Sequence, residues 1–351
     1  MLAGCASPDT PTAGAPKSPF DVEARRALIG KPQGRFTCPA TSAPVSDVLV
    51  EFFYSDIRST ASTLDPVLYA AREEAVKPLT WFLDAVTRST DRWQIAQPVQ
   101  TEAARCALAI LDAWASADAM LGRVTMQGGF ERKWTLGGMA LAYLRLRSAP
   151  DIDPAAAARI EAWMGRLGRA VKAEYDRPGY IVNNHLYWAA LATASSAIVT
   201  GDRVLFDWAI AKARYGLSQV ESDGTLPLEV RRASKALQYH NLSVLALVVV
   251  AEIAAANGID LYGKPGGPLH RLVTRVITDL DDPAYMVRLT GKAQDWVGGP
   301  LNGWHVGWAE IWYARFGDPA VLPLLRRYRP MHNSWLGGNM TISFGVKDLP
   351  P

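Results

Sequence analysis

Two polar segments carry the side chains best suited to charge stabilisation and proton transfer. The first, residues 183–188, reads Asn-Asn-His-Leu-Tyr-Trp and opens an apolar stretch typical of a helix. Its amides and imidazole can donate hydrogen bonds to an anionic group. Asparagine also caps helices, and a histidine at a helix start can simply pack there. This segment alone therefore fits either an anion-binding cluster or an ordinary helix start.

The second segment, residues 226–241, brings basic side chains close to a tyrosine. Arg232 and Tyr239 are seven residues apart, about two helical turns, with Lys235 between them. On a continuous helix the three share one face. Cations near a phenol favour the phenolate, which lets a tyrosine transfer protons. The alternative is a solvated basic face with an amphipathic tyrosine at its edge.

Motifs for several other chemistries are absent from the sequence. There is no metalloprotease zinc helix, P-loop, nucleophile-elbow serine or dinucleotide-binding fingerprint. No motif marks a pair of catalytic carboxylates. The five histidines lack the spacing of metal ligands, and we expect neither a metal nor a cofactor; they stand at positions 185, 240, 270, 305 and 332.

The elements that must position these side chains are predicted to be helices. From residue 65 onward apolar residues recur at i, i+3, i+4 and i+7. Only residues 340–344 alternate like a strand. Short loops predict antiparallel helix hairpins in an all-α fold, and the lack of a fixed period disfavours a repeat array. We expect helices near 66–89, 99–120, 131–147, 154–175, 183–199, 203–222, 234–256, 268–281, 303–316 and 319–328.

Composition narrows the class of protein further. The 351 residues are 49% hydrophobic and 20% charged, which excludes a disordered, collagenous or coiled-coil chain. A net charge of +3 gives no dense basic stripe, so no nucleic-acid partner is expected. The 12 tryptophans beside 12 tyrosines fit either a large aromatic core or a carbohydrate groove, because a pyranose packs its flat face on an aromatic ring.

The N-terminal residues resemble a bacterial lipobox. Leu2-Ala3-Gly4-Cys5 would make Cys5 the lipidated residue of a periplasmic, membrane-anchored protein, and residues 6–19 have the composition of a flexible tether. The alternative is a chance match, since no basic or apolar signal region precedes the cysteine. We expect a tether over residues 1–30 and one catalytic domain over 31–351. Cys38 and Cys106 then either form a disulfide or remain as two buried thiols.

At the two polar segments the sequence resembles the alginate lyases of polysaccharide lyase family 5. Besides Asn-Asn-His with Tyr-Trp at 183–188, the match includes Asp-Gly-Thr-Leu-Pro-Leu-Glu at 223–229, Arg232, and Ala-Leu-Gln-Tyr-His-Asn at 236–241. The 54-residue separation of His185 and Tyr239 also fits the family. Weaker similarity brings the coverage to roughly residues 36–345. The resemblance implies an incomplete α/α toroid with a deep groove.

The resemblance also implies a reaction, namely β-elimination in an anionic uronate polysaccharide, poly-mannuronate above all. Asn184, His185 and Arg232 would neutralise the uronate carboxylate, and Tyr239 would transfer the proton, with His185 as the competing base. We expect a monomer. Further substrate contacts are predicted at Tyr54, Lys133, Trp134, Tyr187, Trp188, Lys235, His240 and Arg329.

The sequence departs from the family near the expected substrate positions. Leu186 replaces a small polar residue, Gln238 replaces a histidine, and Phe130 stands where the family has glutamine, with Gln127 nearby. The segment 54–58 only loosely matches the family's lid. These differences keep two alternatives open: a lyase for another polyuronate such as glucuronan or hyaluronan, and a glycan-binding envelope protein without activity.

Overall fold

The computed structural model describes residues 14–177 and 179–350, and helices dominate this part of the chain. The α-helices are α1 (Val22–Ile29), α2 (Pro66–Ile95), α3 (Thr101–Ser116), α4 (Met126–Leu146), α5 (Pro154–Tyr175), α6 (Asn184–Thr200), α7 (Arg203–Leu217), α8 (Pro227–Val230), α9 (Ala236–Ala256), α10 (Pro268–Asp281), α11 (Ala284–Thr290), α12 (Trp308–Phe316), α13 (Leu322–Tyr328) and α14 (Met340–Phe344). Short 3₁₀ turns cover Ala233–Lys235, Pro319–Val321 and Ser334–Leu336.

Two minimal sheets tie loops to this helical framework. The strands β1 (Lys31–Pro32) and β2 (Ala96–Gln97) pair in parallel, with Lys31 opposite Ala96. The strands β3 (His332–Asn333) and β4 (Gly338–Asn339) pair antiparallel, with His332 opposite Asn339. With two residues in each strand, they fix loop positions and contribute little to the core.

The long helices form an inner and an outer layer, as the predicted toroid requires. An inner series runs α2, α4, α6, α9 and α12, each packed on the next, while α3, α5, α7 and α10 cover it from outside. Helices α4, α6 and α9 are buried on nearly every face, which fits their lack of a polar stripe. Outer helix α10 buries only one stripe, Leu269, Leu272, Val273 and Val276. The prediction of an all-α toroid built from helix hairpins is confirmed.

Local sequence signals explain where the helices begin and end. The Asp153 side chain accepts hydrogen bonds from the first turn of α5, and Pro154 occupies its first position. Asp202 caps α7 in the same way. Gly201 and Gly317 end α6 and α12 with φ angles of 70° and 61°, a conformation that favours glycine. Helices α5 and α10 have the bounds that the sequence predicted.

Several predicted elements were wrong in type or extent. Residues 340–344 form α14 rather than a strand, because the Asn339 side chain accepts the backbone N–H of Ile342 and caps a helix there. The helix expected from residue 303 begins only at Trp308. The segment leading into α9 is broken at Ala233, whose φ is 50°, so Arg232 and Tyr239 do not lie on one continuous helix.

The N-terminal region is packed onto the body of the molecule wherever the structure describes it. Residues 14–30, expected to form part of a tether, include α1 with Val22 and Arg26 buried. The Arg25 side chain donates to the backbone oxygen of Ile342 at 2.7 Å. The proposed lipidation site Cys5 lies outside the described residues.

Residues Ala233–Ala256 are long and apolar enough to cross a membrane by length and composition alone, and they are the one such segment among the described residues. The surrounding helices bury 83% of its most apolar window. Neighbouring α6, α10 and α12 pack against α9, so this apolar stretch serves as the central core helix.

Cys38 and Cys106 are joined in a disulfide, which agrees with one of the two alternatives left by the sequence. Their Cα atoms are 5.8 Å apart, and the bond closes a loop of 68 residues. It anchors the extended segment before α2 to the buried face of α3.

We predict that the double variant Cys38→Ser/Cys106→Ser loses about 2–5 kcal/mol of unfolding free energy in urea, because closing so long a loop restricts the unfolded chain. Alkylation of the denatured wild type should leave both cysteines unlabelled until a reductant is added. Labelling of both thiols without reductant contradicts the disulfide.

Candidate active site

A cleft of about 770 Å³ opens across the inner helices. Its walls come from α2, α4, the start of α9, and the loops at 52–61, 181–185 and 297–305. His185, Arg232 and Tyr239 all line it. The structure therefore brings together three of the four residues predicted to be catalytic.

The centre of the cleft holds two tyrosines and an arginine in contact. The Tyr54 and Tyr239 hydroxyl oxygens are 2.9 Å apart and share a hydrogen bond. The Arg232 guanidinium carbon lies 3.6 Å from the centroid of the Tyr239 ring and 5.3 Å from that of Tyr54. Burial, followed by the neighbouring Tyr239, raises the pKa of Tyr54, which keeps Tyr54 a neutral phenol able to donate to Tyr239.

Arg232 also holds the segment that covers the cleft, here called the lid and comprising residues 54–64. Its Nε donates to the backbone oxygen of Thr60 at 3.0 Å, and its Nη2 donates to that of Ala61. Inside the lid, burial opposes ionisation of Asp56, but hydrogen bonds from Thr60, Ser62 and Thr63 outweigh it and lower its pKa to about 2. The predicted contact residue Tyr54 thus reaches Tyr239 from a well-ordered loop.

His185 sits at the beginning of α6 against an aromatic ring. Its imidazole stacks on Phe130 with ring centroids 3.7 Å apart, and its Nδ1 lies 3.1 Å from Nζ of Lys133. Burial, then the positive charges of Lys133 and Arg232, lower the pKa of His185 well below its usual value. The imidazole is therefore neutral at pH 7.

Asn184 lies behind the cleft wall rather than in it. It is fully buried, and both its backbone N–H and its Nδ2 donate to Oε1 of Glu229, at 2.6 and 3.0 Å. Burial raises the pKa of Glu229, against the opposing effects of Arg232 and Asn184. The asparagine that lines the cleft is Asn183, whose Oδ1 accepts the backbone N–H of His185. We expected Asn184 to face the substrate directly, and this geometry does not support that.

Of the other predicted substrate contacts, Tyr54 and Trp134 line the cleft, whereas two predicted cations do not. Lys235 is buried in an ion pair with Asp295 at 2.8 Å. The Arg329 guanidinium is held by the fully buried Glu310 carboxylate. Both charges are already neutralised, so the prediction that they face the polymer was wrong.

Four further predicted contacts belong to the core and were likewise wrong as cleft residues. Tyr187 is fully buried against the backbone of Gly216, where a side chain would clash. Trp188 is 1% exposed. His240 is enclosed, with Nε2 accepting from the Leu226 backbone and Nδ1 bound to the Ala236 oxygen. Lys133 is fully buried beneath His185 and is not part of the cleft surface.

Some cleft residues were missed by sequence reasoning. Trp81 on α2 is 57% exposed and lines the cleft. Trp81 follows Lys77 by four residues, so both side chains lie on one face of α2. A charged residue on the same face as Trp81 is a sequence signal that this face is exposed. Trp335 stacks on Trp134 with centroids 4.2 Å apart and rings nearly parallel, which no local pattern indicates.

The departures from the family divide into buried and cleft-facing positions. Leu186 is 3% exposed and packs in the core, so it cannot contact a sugar. Gln238 lines the cleft, and its Oε1 accepts the backbone N–H of Val297 at 3.0 Å. Phe130 lines the cleft beneath His185. Only the last two positions can affect which substrate fits.

The charged side chains that line the cleft are of both signs, and some of them are paired. Arg72 is paired with Glu131 at 2.7 Å and also contacts Glu73. Arg231 is exposed, lines the cleft and has no ion-pair partner among the described residues. Within residues 14–177 and 179–350, no group of three or more histidine, cysteine, aspartate or glutamate side chains is placed to hold a metal ion.

Comparisons with known proteins find alginate lyases among the relatives of this chain. The family model described as alginate lyase matches residues 52–285. An alginate lyase of Pseudomonas syringae pv. tomato is 35% identical, over 93% of this chain and 87% of the relative. A polysaccharide lyase of Stenotrophomonas maltophilia is 33% identical, over 90% of this chain and 93% of the relative.

Solved structures show the same fold. Alginate lyase A1-III from Sphingomonas species A1 superposes with a TM-score of 0.80 at 23% identity, covering 95% of this chain and 96% of that one. A variant of alginate lyase A1-III complexed with tetrasaccharide gives a TM-score of 0.81 at 24% identity, with the same coverage. At this identity the likeness concerns the α/α toroid alone.

We predict that unfolding free energy falls as the pH drops from about 6.5 to about 4. Burial lowers the pKa of His240 to about 4, so the folded state binds fewer protons than the unfolded state in that window. The contribution of His240 to the unfolding free energy is complete above the pKa that this histidine has in the unfolded chain. As the pH falls from there to its pKa in the folded protein, the contribution is lost at about 1.4 kcal/mol per pH unit.

Urea unfolding of wild type and His240→Gln at several pH values measures this effect. When the unfolding free energy is plotted against pH, the slope below pH 6.5 should be smaller for the variant by about one bound proton. The contributions of the other histidines to this slope should be the same in both proteins. An identical slope in the two proteins contradicts the assignment.

Proposed function

This chain belongs to the alginate lyase family, and on that premise we propose that it depolymerises poly-β-D-mannuronate by β-elimination. The products would carry a 4,5-unsaturated uronate at the non-reducing end. The observation that carries the proposal is the contact of Arg232 with Tyr239, 3.6 Å from guanidinium carbon to ring centroid, in one cleft with His185.

The reaction begins with removal of the C5 proton, which is weakly acidic while the adjacent carboxylate is charged. Neutralising that carboxylate stabilises the enolate-like charge that develops during the reaction. Arg232 supplies a positive charge beside the cleft, and neutral His185 supplies an N–H donor. Asn184 supports them indirectly, because its bonds to Glu229 hold the start of α6 in place.

Tyr239 is the proposed proton-transfer residue. A guanidinium at its ring stabilises negative charge on the phenol oxygen, and the neutral Tyr54 hydroxyl donates a hydrogen bond to the same oxygen. In mannuronate the C5 proton and the C4 oxygen lie on the same face of the sugar. One tyrosine can therefore remove the proton as a base and return a proton to the leaving oxygen.

An anionic polymer fits the remaining surface of the cleft. Exposed Arg231 offers an unpaired positive charge, and Trp81 offers an exposed indole on which a pyranose can stack. Each uronate in the polymer carries one negative charge, so charge and aromatic contacts can alternate along the bound chain.

A lyase of the same mechanism for another polyuronate is the second candidate. Gln238 favours it, because this cleft residue replaces the family's histidine and alters hydrogen bonding to the sugar. A panel of mannuronate, guluronate, glucuronan and hyaluronan polymers, assayed for the new double bond by ultraviolet absorbance, separates the two. Binding without any double-bond product would instead support a glycan-binding protein.

Our proposal for location rests on the lipobox-like residues Leu2–Cys5 and on the Cys38–Cys106 disulfide. It places the protein in the periplasm, as a monomer with a lipid anchor at Cys5. The Cys38–Cys106 disulfide supports an oxidising compartment.

We predict that Tyr239→Phe lowers kcat on poly-mannuronate by at least about 100-fold, because the variant keeps the ring but has no group for proton transfer. The matched control is Tyr215→Phe, a half-exposed tyrosine on α7 outside the cleft, which should retain wild-type activity. Near-wild-type turnover by Tyr239→Phe refutes the assigned role.

We also predict that Trp81→Ala raises KM for the polymer by about fivefold to tenfold and changes kcat by less than twofold, since the lost contact is a binding surface away from the reacting atoms. Tyr215→Ala serves as the control for loss of an exposed aromatic ring. An unchanged KM across polymer and short oligomers rules out a sugar contact at Trp81.

A further inference from the structure

Lys133 has a position that the proposed reaction does not yet explain. It is a fully buried lysine on α4, outside the cleft surface, and its Nζ lies 3.1 Å from Nδ1 of His185. A lysine with no exposure normally requires a specific partner. Its nearest polar contact is the histidine that faces the substrate.

Burial and the ring contacts act oppositely on the charge of Nζ, and the net effect lowers the pKa of Lys133 well below its usual value. The rings of Phe130, Trp134 and Tyr175 lie around it, with centroids 4.1, 4.6 and 5.3 Å from Nζ. Rings at these distances attract a cation through their π faces. Burial lowers the pKa of Lys133, while Glu174 and Glu131 oppose that shift.

The charged groups facing the pair come from four parts of the fold. Glu131 on α4 is paired with Arg72 of α2, and Glu174 on α5 is paired with Arg132 of α4. Arg232 lies on the cleft side and acts on His185. The two carboxylates therefore lie on the side of Lys133, and the second cation lies on the side of His185.

When Nζ is an ammonium it has three donors and no acceptor, so its hydrogen bond to Nδ1 requires that Nδ1 accept. A neutral imidazole with an accepting Nδ1 carries its proton on Nε2. His185 lines the cleft, and Nε2 has no hydrogen-bond partner in the described part of the chain. The Nε2 proton is thereby available to a ligand in the cleft.

We propose that Lys133 is a positioning residue that fixes His185 as its Nε2–H tautomer, so that His185 donates to the uronate carboxylate and does not act as the base. This inference rests on the proposed function. It leaves Tyr239 as the proton-transfer group and removes the competing assignment to His185. Stacking of His185 on Phe130 holds the ring in the orientation that the bond to Lys133 requires.

Nitrogen NMR of protein labelled at histidine tests the tautomer without any substrate. At pH 7 the wild type should show His185 with a protonated Nε2 and an unprotonated Nδ1, identified by loss of its signals in His185→Gln. An Nδ1–H tautomer in the wild type overturns the proposal. Because the measurement needs no turnover, it stands apart from any failure of the proposed lyase activity.

Two variants extend the test to kinetics. Lys133→Met keeps the apolar stem and removes the donor, so the tautomers should mix and kcat should fall about 10- to 100-fold while KM changes little. Lys133→Gln restores an N–H donor and should recover part of kcat and the Nε2–H signal. Lys264→Met, an exposed lysine elsewhere, is the control. If Lys133→Met keeps both the wild-type tautomer of His185 and the wild-type kcat, the proposal is contradicted. If that variant does not fold, the spectrum of the wild type still shows which tautomer His185 adopts.

Discussion

The half-buried guanidinium of Arg232 makes the contacts on which the rest of the site depends. It packs on the Tyr239 ring, lies near the Tyr54 ring, and holds the lid through the backbone oxygens of Thr60 and Ala61. Such a charge is costly to bury unless it is fully engaged. Burial and the surrounding negative groups act oppositely on Arg232, and the net effect raises its pKa, so it stays charged. The position of the lid, and the proposed stabilisation of the phenolate and of the uronate carboxylate, therefore depend on one side chain.

The buried Lys133 contacts His185 from the side away from the cleft surface. Burial, then the positive charges of Lys133 and Arg232, lower the pKa of His185 and keep the imidazole neutral. A neutral imidazole donates through one nitrogen only, so its usefulness depends on which nitrogen holds the proton. The inner helices supply the rigidity for this arrangement, because α4 and α6 pack closely and carry Lys133 and His185 respectively. The fold thus determines hydrogen-bond direction as well as position.

Periodicity was sufficient to predict the helical hairpins, whereas the toroid and the choice of His185, Arg232 and Tyr239 came from the resemblance to the alginate lyase family. Neither was sufficient to separate cleft from core among neighbouring residues. On an inner helix such as α6, every face is buried, so Tyr187 and Trp188 next to His185 carry no sign of their orientation. The sequence also does not show which charges form ion pairs. Asp295 pairs with Lys235 and Glu310 pairs with Arg329, although each carboxylate lies in a distant segment of the chain. Trp81 shows the converse, a helical tryptophan placed on the exposed face of α2 and not in the core.

In the proposed complex, a uronate binds with its carboxylate against Arg232 and His185 and with its C5 proton towards Tyr239. A crystal structure of the Tyr239→Phe variant with a bound mannuronate oligosaccharide tests it most directly. We expect a sugar carboxylate within hydrogen-bond distance of His185 Nε2 and of the Arg232 guanidinium. C5 of that sugar should face the position that the Tyr239 hydroxyl occupies in the wild type. A sugar whose C5 proton faces away from residue 239, or a carboxylate bound elsewhere in the cleft, would contradict it.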